Sequence, residues 1–503
     1  MKNLLSTLIL FLFIPSMFAE RPNILILYAD DMGYGDLNIQ NTESKIPTPV
    51  LDQLARDGMR FTDGHSSSGI CTPSRYALLT GRHHWRDFHG IVSAMGKSVF
   101  APERITLPEM LKTKGYTTAC IGKWHLGWNW HAITKPDAKP IKWKGKKVYG
   151  PEAYDWSKSI PNGPLAHGFD YYFGDTVINF PPYTWIENDK VVKAPDTLMD
   201  ESKWKPIKEG RWECRPGPMA SDWDPYAVIP TLGDKAVAYV KEQSRKDQPF
   251  FLYFAFPSPH APIIPNDEFD GKSKAGPYGD FIYESDHCAG RILAAIKEAG
   301  MENNTLVFFS ADNGPEHYAY ARDQKFDHWS AKPFRGLKRD IYEGGHHVPF
   351  VIKWPGKVPA GSICNQLVSQ IDFMATVAAI IGYDLPEDAA EDSHNFLPLL
   401  ENKDRVIRES HVHNTYDRAW ALRHKQWNLI SGKTGYHSKQ DKLWEKKHNV
   451  PPDDDLPVEL YDIRKDIGQR NNLAQKHPEV VKELQELLNT IRERGHSAPR
   501  LAK

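Results

Sequence analysis

The sequence has almost no net charge to offer: 63 Lys and Arg stand against 64 Asp and Glu. That balance removes the broad basic field on which nucleic-acid binding relies, so no nucleic-acid partner is expected. Cysteines are few, at positions 71, 120, 214, 288 and 364, and none has zinc-finger spacing. Their odd number flags a leftover thiol in an exported chain. Past the first twenty residues no run is apolar enough for a membrane-spanning helix, so no stable membrane insertion is expected. No internal repeat is found, and a solenoid or propeller is not expected.

What the chain does have is length, proline and aromatic rings. At 503 residues it exceeds the usual size of a single core, so one large and one smaller core are expected. Its 38 Pro imply many fixed loops, and with 15 Trp and 21 Tyr such loops suit a carbohydrate binder. Residues 1–19 read as a secretory signal: Lys2 supplies the charged start, Leu4 to Ile14 the apolar run, and Ala19 a cleavage point. An uncleaved anchor is the alternative. The signal points to a periplasmic or secreted protein.

Apolar runs of strand length recur between helical patterns. Residues 23–29 (NILILYA), 116–122 (YTTACIG), 250–256, 305–310 and 348–354 read as strands, the first as a buried parallel one. Helices are expected near 48–57, 107–114, 230–244, 278–298 and 371–381, several opened by Pro and closed by Gly. Residues 128–160 and 175–225 read as long irregular loops. The alternation implies an α/β fold, a large mostly parallel or mixed sheet sandwiched by helices. After about residue 404 the pattern changes to antiparallel strands (AWALRHKQWNLI, VELYDI) around a polar insertion at 432–455. An amphipathic helix over 478–494 follows. The expected division is a catalytic domain over 20–404 and a smaller C-terminal α+β subdomain over 405–503.

The run Cys71-Thr72-Pro73-Ser74-Arg75 stands out within this pattern. Thr72 reads as an N-cap, Pro73 as the first helical residue and Gly81 as the stop. A thiol at such a helix start, with Arg75 one turn on, is expected to be reactive with a lowered pKa. A small buried cysteine is the plainer alternative. Four strands then end in polar clusters: Asp30-Asp31, Lys123 with His125, His260, and Asp312-Asn313. In a parallel sheet the carboxyl ends open on one edge, where ligands bind. The oxygen-only set Asp30, Asp31, Asp312 and Asn313 suits a hard cation, Ca²⁺ ahead of Mg²⁺, although Asp-Asn-Gly alone is also a common turn. The cations Arg75, Lys123, His125, His260 and Lys338 call for an anion, and together with a metal they suit a tetrahedral oxyanion.

These residues resemble those of the type I sulfatases, arylsulfatase-like enzymes of the alkaline phosphatase superfamily. CTPSRYALLTGR and GYTTACIGKWHLG are similar to the two signatures of that family. ADDMGYGDL, PSPHAPIIP, ADNG and LKRDIYEGGHHVPFVIKWPG follow in the same order, so that the likeness spans roughly 21–475. Ala311 and Leu337 stand where Ser and Gly are commoner. The resemblance implies that Cys71 is converted by a maturation enzyme to formylglycine. One hydroxyl of the hydrated aldehyde attacks sulfur to give a covalent sulfate ester, and loss of a proton from the other then eliminates sulfate. It implies Ca²⁺ held by Asp30, Asp31, Asp312, Asn313 and the residue-71 oxygen. Arg75 is then expected to orient the hydrate, Lys123 and Lys338 to grip sulfate oxygens, His125 to take the proton, and His260 to protonate the leaving oxygen.

The substrate so implied is a sulfated carbohydrate, with galactose or galactosamine units favoured. Trp124, Trp128, Trp130, Lys142 to Lys147 and the run His83 to Arg86 are candidates to read its sugar, or equally to pack long loops. Two rivals remain: a phosphodiesterase or phosphonate hydrolase of the same superfamily, which would show Ser or Thr and two zinc sets, and an inactive sulfated-glycan binder.

Overall fold

The computed structural model describes residues 21–416, 420–437, 440–452 and 455–499. The secretory signal expected at 1–19 lies outside them. A ten-stranded mixed sheet carries the larger part. Its order is Ser362–Cys364, Met59–Phe61, Phe350–Lys353, Thr305–Ala311, Asn23–Asp30, Phe250–Pro259, Thr117–Gly122, Tyr171–Gly174, Ile186–Glu187 and Lys190–Val191. The five central strands, from Thr305–Ala311 to Tyr171–Gly174, are parallel, while Phe350–Lys353 runs antiparallel to its neighbour Thr305–Ala311. All eight residues of Asn23–Asp30 are buried. This explains why the strand reads as an unbroken apolar run rather than an alternating one.

Alternate residues of that strand feed two separate cores. Ile24, Ile26 and Tyr28 pack with Leu78, Met110 and Met374, from the helices Cys71–Thr80, Leu107–Lys112 and Phe373–Ile381. Leu25, Leu27 and Ala29 pack on the other face with Leu51, Leu232 and Ile282, from Pro49–Asp57, Val228–Gln243 and Pro277–Glu298. Truncating one of these aliphatics to Ala costs about 2–5 kcal/mol. The sheet is thus a rigid middle layer, and its carboxyl edge is held from both faces.

A second sheet of four antiparallel strands, Ser410–Asn414, Trp420–His424, Trp427–Ser431 and Glu459–Asp462, follows in the chain. The helix Pro478–Glu493 covers it through Leu484, Leu488 and Ile491. Its first strand has no sequence signal, because SHVHN is too polar to read as a buried strand. The polar insertion holds the helix Lys442–Lys447, capped by Asp441, which accepts from the Leu443 and Trp444 N–H groups. The loop expected over 128–160 contains a hairpin, Ile141–Trp143 paired with Lys146–Val148. No helix among the described residues is long and apolar enough to cross a membrane.

Candidate active site

The carboxyl edge gathers the candidate catalytic and metal-binding residues. Asp30 ends its strand, and Asp31 follows at φ +64, turning the chain back beneath the edge. Asp312 follows Thr305–Ala311 directly and donates its N–H to Ala29 O (3.0 Å), while one of its carboxylate oxygens accepts from Asp31 N–H (3.2 Å). The helix Cys71–Thr80 delivers Cys71 and Arg75, and every residue in it is buried.

Two expectations about that helix are corrected. It starts at Cys71, with Ile70 rather than Thr72 as N-cap. The Thr72 hydroxyl serves another purpose: it donates to His125 O (2.8 Å) and accepts from Val92 N–H (3.1 Å), tying two loops together. Gly81 ends the helix as expected, at φ +63, and donates to Ala77 O (2.9 Å). The Cys71 thiol is not lowered. Burial pushes it up to about 12, against the pull of Lys123 and Lys338, and Asp312 and Asp30 add to the rise. Loss of water outweighs the helix terminus because no part of the side chain reaches solvent. As a thiol, Cys71 is inert at neutral pH.

Each carboxylate meets a cation. Lys123 Nζ donates to Asp30, and Lys338 Nζ lies 2.7 and 2.8 Å from the two oxygens of Asp31. Arg75 donates through Nε and Nη2 to Asp312 Oδ2 at 3.0 and 2.8 Å. Burial raises the Asp30 carboxyl, but Lys123 overrides this and holds it below the usual range. At Asp312 burial wins, reinforced by Asp30, and its carboxyl is raised. Burial opposes the Lys338 ammonium, yet Asp31 holds its pKa well above the ordinary lysine value. The Asn313 amide N–H₂ donates to Asp31 Oδ1 (2.7 Å), while its Oδ1 is buried without a hydrogen-bond partner. Three carboxylates and one orphaned amide oxygen are what a hard divalent cation binds, so the residues fit such an ion. Asp30, Asp31, Cys71 and His260 also converge with one donor atom from each within 4.8 Å of the others.

The two histidines differ in which nitrogen is free. His125 donates from Nε2 to Val92 O (2.9 Å), leaving Nδ1 buried with a bare lone pair. Burial and then Lys123 hold its pKa well below the ordinary histidine value, so it is a neutral base. His260 donates from Nδ1 to Ala261 O (2.6 Å), and its Nε2 is 3.8 Å from Asp31 Oδ2. Burial and Lys338 lower its pKa, while Asp31 and Asp30 pull the other way. A small cleft beside His125 is lined by Val92, Gly96, Thr176, Phe180 and Pro181.

Some expected readers of the sugar are elsewhere. Trp124, Trp128 and Trp130 are buried in the core below Phe100 and Tyr172, so they pack the loops. His83, His84 and Trp85 are buried as well, and Arg86 is paired with Asp392 (2.7 Å). Two residues were missed. Asp175, just past Tyr171–Gly174, has both carboxylate oxygens buried without partners; burial pushes it up to about 7 although Lys123 opposes. The strand-end rule that found Asp30 would have found it. Glu316 links Arg339 (2.6 Å) to Lys338 (3.6 Å) and fixes the latter from behind.

A family model described as Sulfatase matches residues 22–383, which take in every residue of this edge. The chain belongs to the sulfatase family. It is a sulfuric ester hydrolase, and its fold is the sulfatase α/β fold. A second model, the C-terminal region of N-sulphoglucosamine sulphohydrolase, matches residues 336–494. N-acetylgalactosamine-6-O-sulfatase of Bacteroides thetaiotaomicron is 33% identical over 95% of this chain and 94% of its own length. The human N-acetylgalactosamine-6-sulfatase is 30% identical, covering 94% of this sulfatase and 85% of the relative. A solved chain, from work on glycosaminoglycan metabolism by Bacteroides thetaiotaomicron, superposes with a TM-score of 0.76. It is 30% identical, with 94% of this chain and all of that one covered.

Proposed function

We propose that this sulfatase removes sulfate from a sulfated carbohydrate, with a galactosamine-type sugar favoured, and that Cys71 acts after conversion to formylglycine. The observation that carries this is the state of residue 71. It sits in the first helical turn against Asp30 (3.7 Å from its Sγ), among Lys123 and Lys338, yet burial pushes its thiol up to about 12 and keeps it protonated at neutral pH. A site built around an inert atom makes sense when that atom is replaced. The two relatives described above are named for N-acetylgalactosamine sulfate removal, which supports the sugar class.

Formylglycine, as its hydrate, would supply a hydroxyl nucleophile. Asp30, Asp31, Asp312 and Asn313 would hold the divalent ion, Ca²⁺ by their all-oxygen set, and it would neutralise charge on the sulfate. Lys123 and Lys338 each carry three ammonium donors, of which the carboxylates use only part, so both can also hold sulfate oxygens. Arg75 fixes Asp312 by a two-pronged contact and keeps that carboxylate aligned. His125 Nδ1 accepts a hydroxyl proton. His260 Nε2 gives its proton to the leaving sugar oxygen, which matters because an alkoxide leaves poorly. The bound sulfate ester itself favours the protonated His260, offsetting the lowering by Lys338.

The signal pattern at 1–19 supports a periplasmic or secreted enzyme, the catalytic unit then being 20–404 and the C-terminal unit 405–503. Conversion of Cys71 makes a maturation enzyme its obligate partner. The direct test is the mass of the residue-71 peptide from an active preparation: formylglycine lacks the sulfur. Full activity with an unmodified cysteine sinks the proposal. A panel of defined sulfated oligosaccharides then sorts the sugars, and turnover of phosphate esters at comparable rates would favour the phosphohydrolase reading.

A further inference from the structure

Away from the active site, three histidines from distant parts of the chain meet in the seam between the large sheet and the C-terminal one. His65 ends the short strand Gly64–His65, His346 ends the helical turn Glu343–His346, and His413 lies on Ser410–Asn414. All three are fully buried.

Their hydrogen bonds fix which nitrogens are free. His65 Nε2 donates to Asp63 Oδ1 (2.7 Å), and Asp63 is itself held by Arg423 (3.1 Å). His346 Nε2 donates to Ile341 O (3.1 Å). That leaves the two Nδ1 atoms, both with lone pairs, facing each other at 3.1 Å. Two lone pairs at that distance repel, and a second proton on either ring would create a buried imidazolium, which is costly. His413 sharpens the problem: both of its ring nitrogens are buried without any partner, and its ring stacks on His346 with centroids 3.6 Å apart.

A cation among the three resolves all of this. One nitrogen from each ring falls within 4.8 Å of the others. Zinc–nitrogen bonds of about 2.0–2.1 Å in a tetrahedral site separate ligand nitrogens by about 3.4 Å. Because an imidazole lone pair lies in its ring plane, His413 must turn out of its stack on His346 (interplanar 16°) to bind, and that turn gives its bare nitrogens the partner they lack. The outer bonds to a carboxylate and a backbone carbonyl are the supports that metal-bound imidazoles use. Glu343 Oε2, 3.9 Å from His65 Nδ1, is the nearest anionic donor for a fourth position. The neighbouring His347 is excluded, since both its nitrogens face acceptors, Glu343 (2.8 Å) and Thr62 O (2.8 Å).

We infer that His65, His346 and His413 form a closed structural site for a divalent transition metal, zinc by its donor set, separate from the oxygen-lined site at the sheet edge. Imidazole donors select such ions over Ca²⁺ or Mg²⁺. The site joins the C-terminal strand to the loop that carries Lys338 and to the segment that leads to Cys71. Ser66 N–H donates to His346 O (2.8 Å), and Ser68 Oγ donates to Asn414 O (2.8 Å), so both neighbours of the site are already laced across the seam.

The test is metal analysis of the full chain, purified without a histidine tag, equilibrated with zinc and then dialysed against metal-free buffer. Roughly one zinc per chain is expected, lost in His413→Leu with calcium content unchanged. Absence of stoichiometric zinc in the wild type, or its retention in folded His413→Leu, overturns the inference. Should that variant fail to fold, cobalt(II) loading of the wild type decides. An intense tetrahedral visible band with nitrogen scatterers by X-ray absorption supports the site, and a weak octahedral band or none overturns it.

Discussion

At the sheet edge, Asp30, Asp31 and Asp312 lie buried, each against its own cation, Lys123, Lys338 or Arg75. In the seam, His65, His83 and His346 are equally buried but discharged: burial holds both His83 and His346 down to about 3, and His65 below the ordinary value. These histidines answer the cost of burial in the opposite way to the edge carboxylates, although buried ion pairs such as Arg408 with Asp372 lie in the seam as well. Buried ion pairs are weak contributors to stability, because desolvation offsets most of their attraction. They persist at the edge because a field is needed there for an anionic ester. Neutral rings in the seam need no such field and can act as packing, and as ligands. Damage at the edge should therefore cost activity, and damage in the seam should cost stability.

The largest expected effect is at residue 71. Cys71→Ala should lower sulfate release on the order of 10⁶-fold, as losing a nucleophile does in other hydrolases. Its melting temperature should stay near wild type, because the substitution removes one sulfur atom and one weak hydrogen bond, to Asp30 at 3.7 Å. A steep loss of stability in this variant would break the comparison. Next is His260→Gln, for which a loss of about 10²–10⁴-fold is expected from a missing general acid. The size should depend on the leaving group: full on an alkyl or sugar sulfate, much smaller on a nitrophenyl sulfate, whose phenolate leaves unaided. Equal losses on both substrates would remove His260 from the acid role.

Arg408→Leu tests the other region. Arg408 is buried, donates to Asp372, and gives a second bond to His411 Nδ1 (2.7 Å), so it anchors the chain just before the first C-terminal strand. Removing it leaves Asp372 buried with two backbone N–H donors but no counter-charge, at a cost of about 3–5 kcal/mol by denaturant titration. Turnover at saturating substrate should hold at temperatures where the variant stays folded. A fall in kcat with unchanged stability would reverse the assignment of the two regions.

The edge was legible in the sequence and the seam was not, for a physical reason. Parallel strands buried on both faces read as apolar runs, and the residues at their ends must share one edge. Asp30, Lys123, His260 and Asp312 could therefore be grouped without coordinates. The same logic misjudged Cys71, since a helix terminus says nothing of how completely water is excluded. It left Trp124, Trp128 and Trp130 undecided between reading a sugar and packing a loop, because buried and exposed Trp look alike in a loop of Pro and Lys. His65 and His346 are 281 residues apart, and nothing periodic connects them to His413. The contact with His413 arises only once the second sheet docks on the first.

The smallest effect concerns pH, and it isolates one ring of the seam. His83 stacks on Trp85 (centroids 5.0 Å apart), and both of its nitrogens are buried without partners. Burial lowers it to about 3, Asp392 works against this, and Arg86 and Arg408 add to the lowering. Its unfolded value is about 6.5. Below that pH the unfolded chain binds a proton the folded chain refuses. The stability contributed by neutral His83 is therefore complete above about pH 6.5 and shrinks as pH falls toward 3, by roughly 2 kcal/mol at pH 5. His83→Gln keeps a buried polar side chain but cannot titrate. Its denaturation midpoint should change less between pH 7 and pH 5 than that of the wild type, even if it is lower at both. Equal slopes would mean that His83 takes up its proton alike in the folded and the unfolded chain, and the contrast between the paired carboxylates of the edge and the discharged rings of the seam would fail at the residue where it is most exposed to measurement.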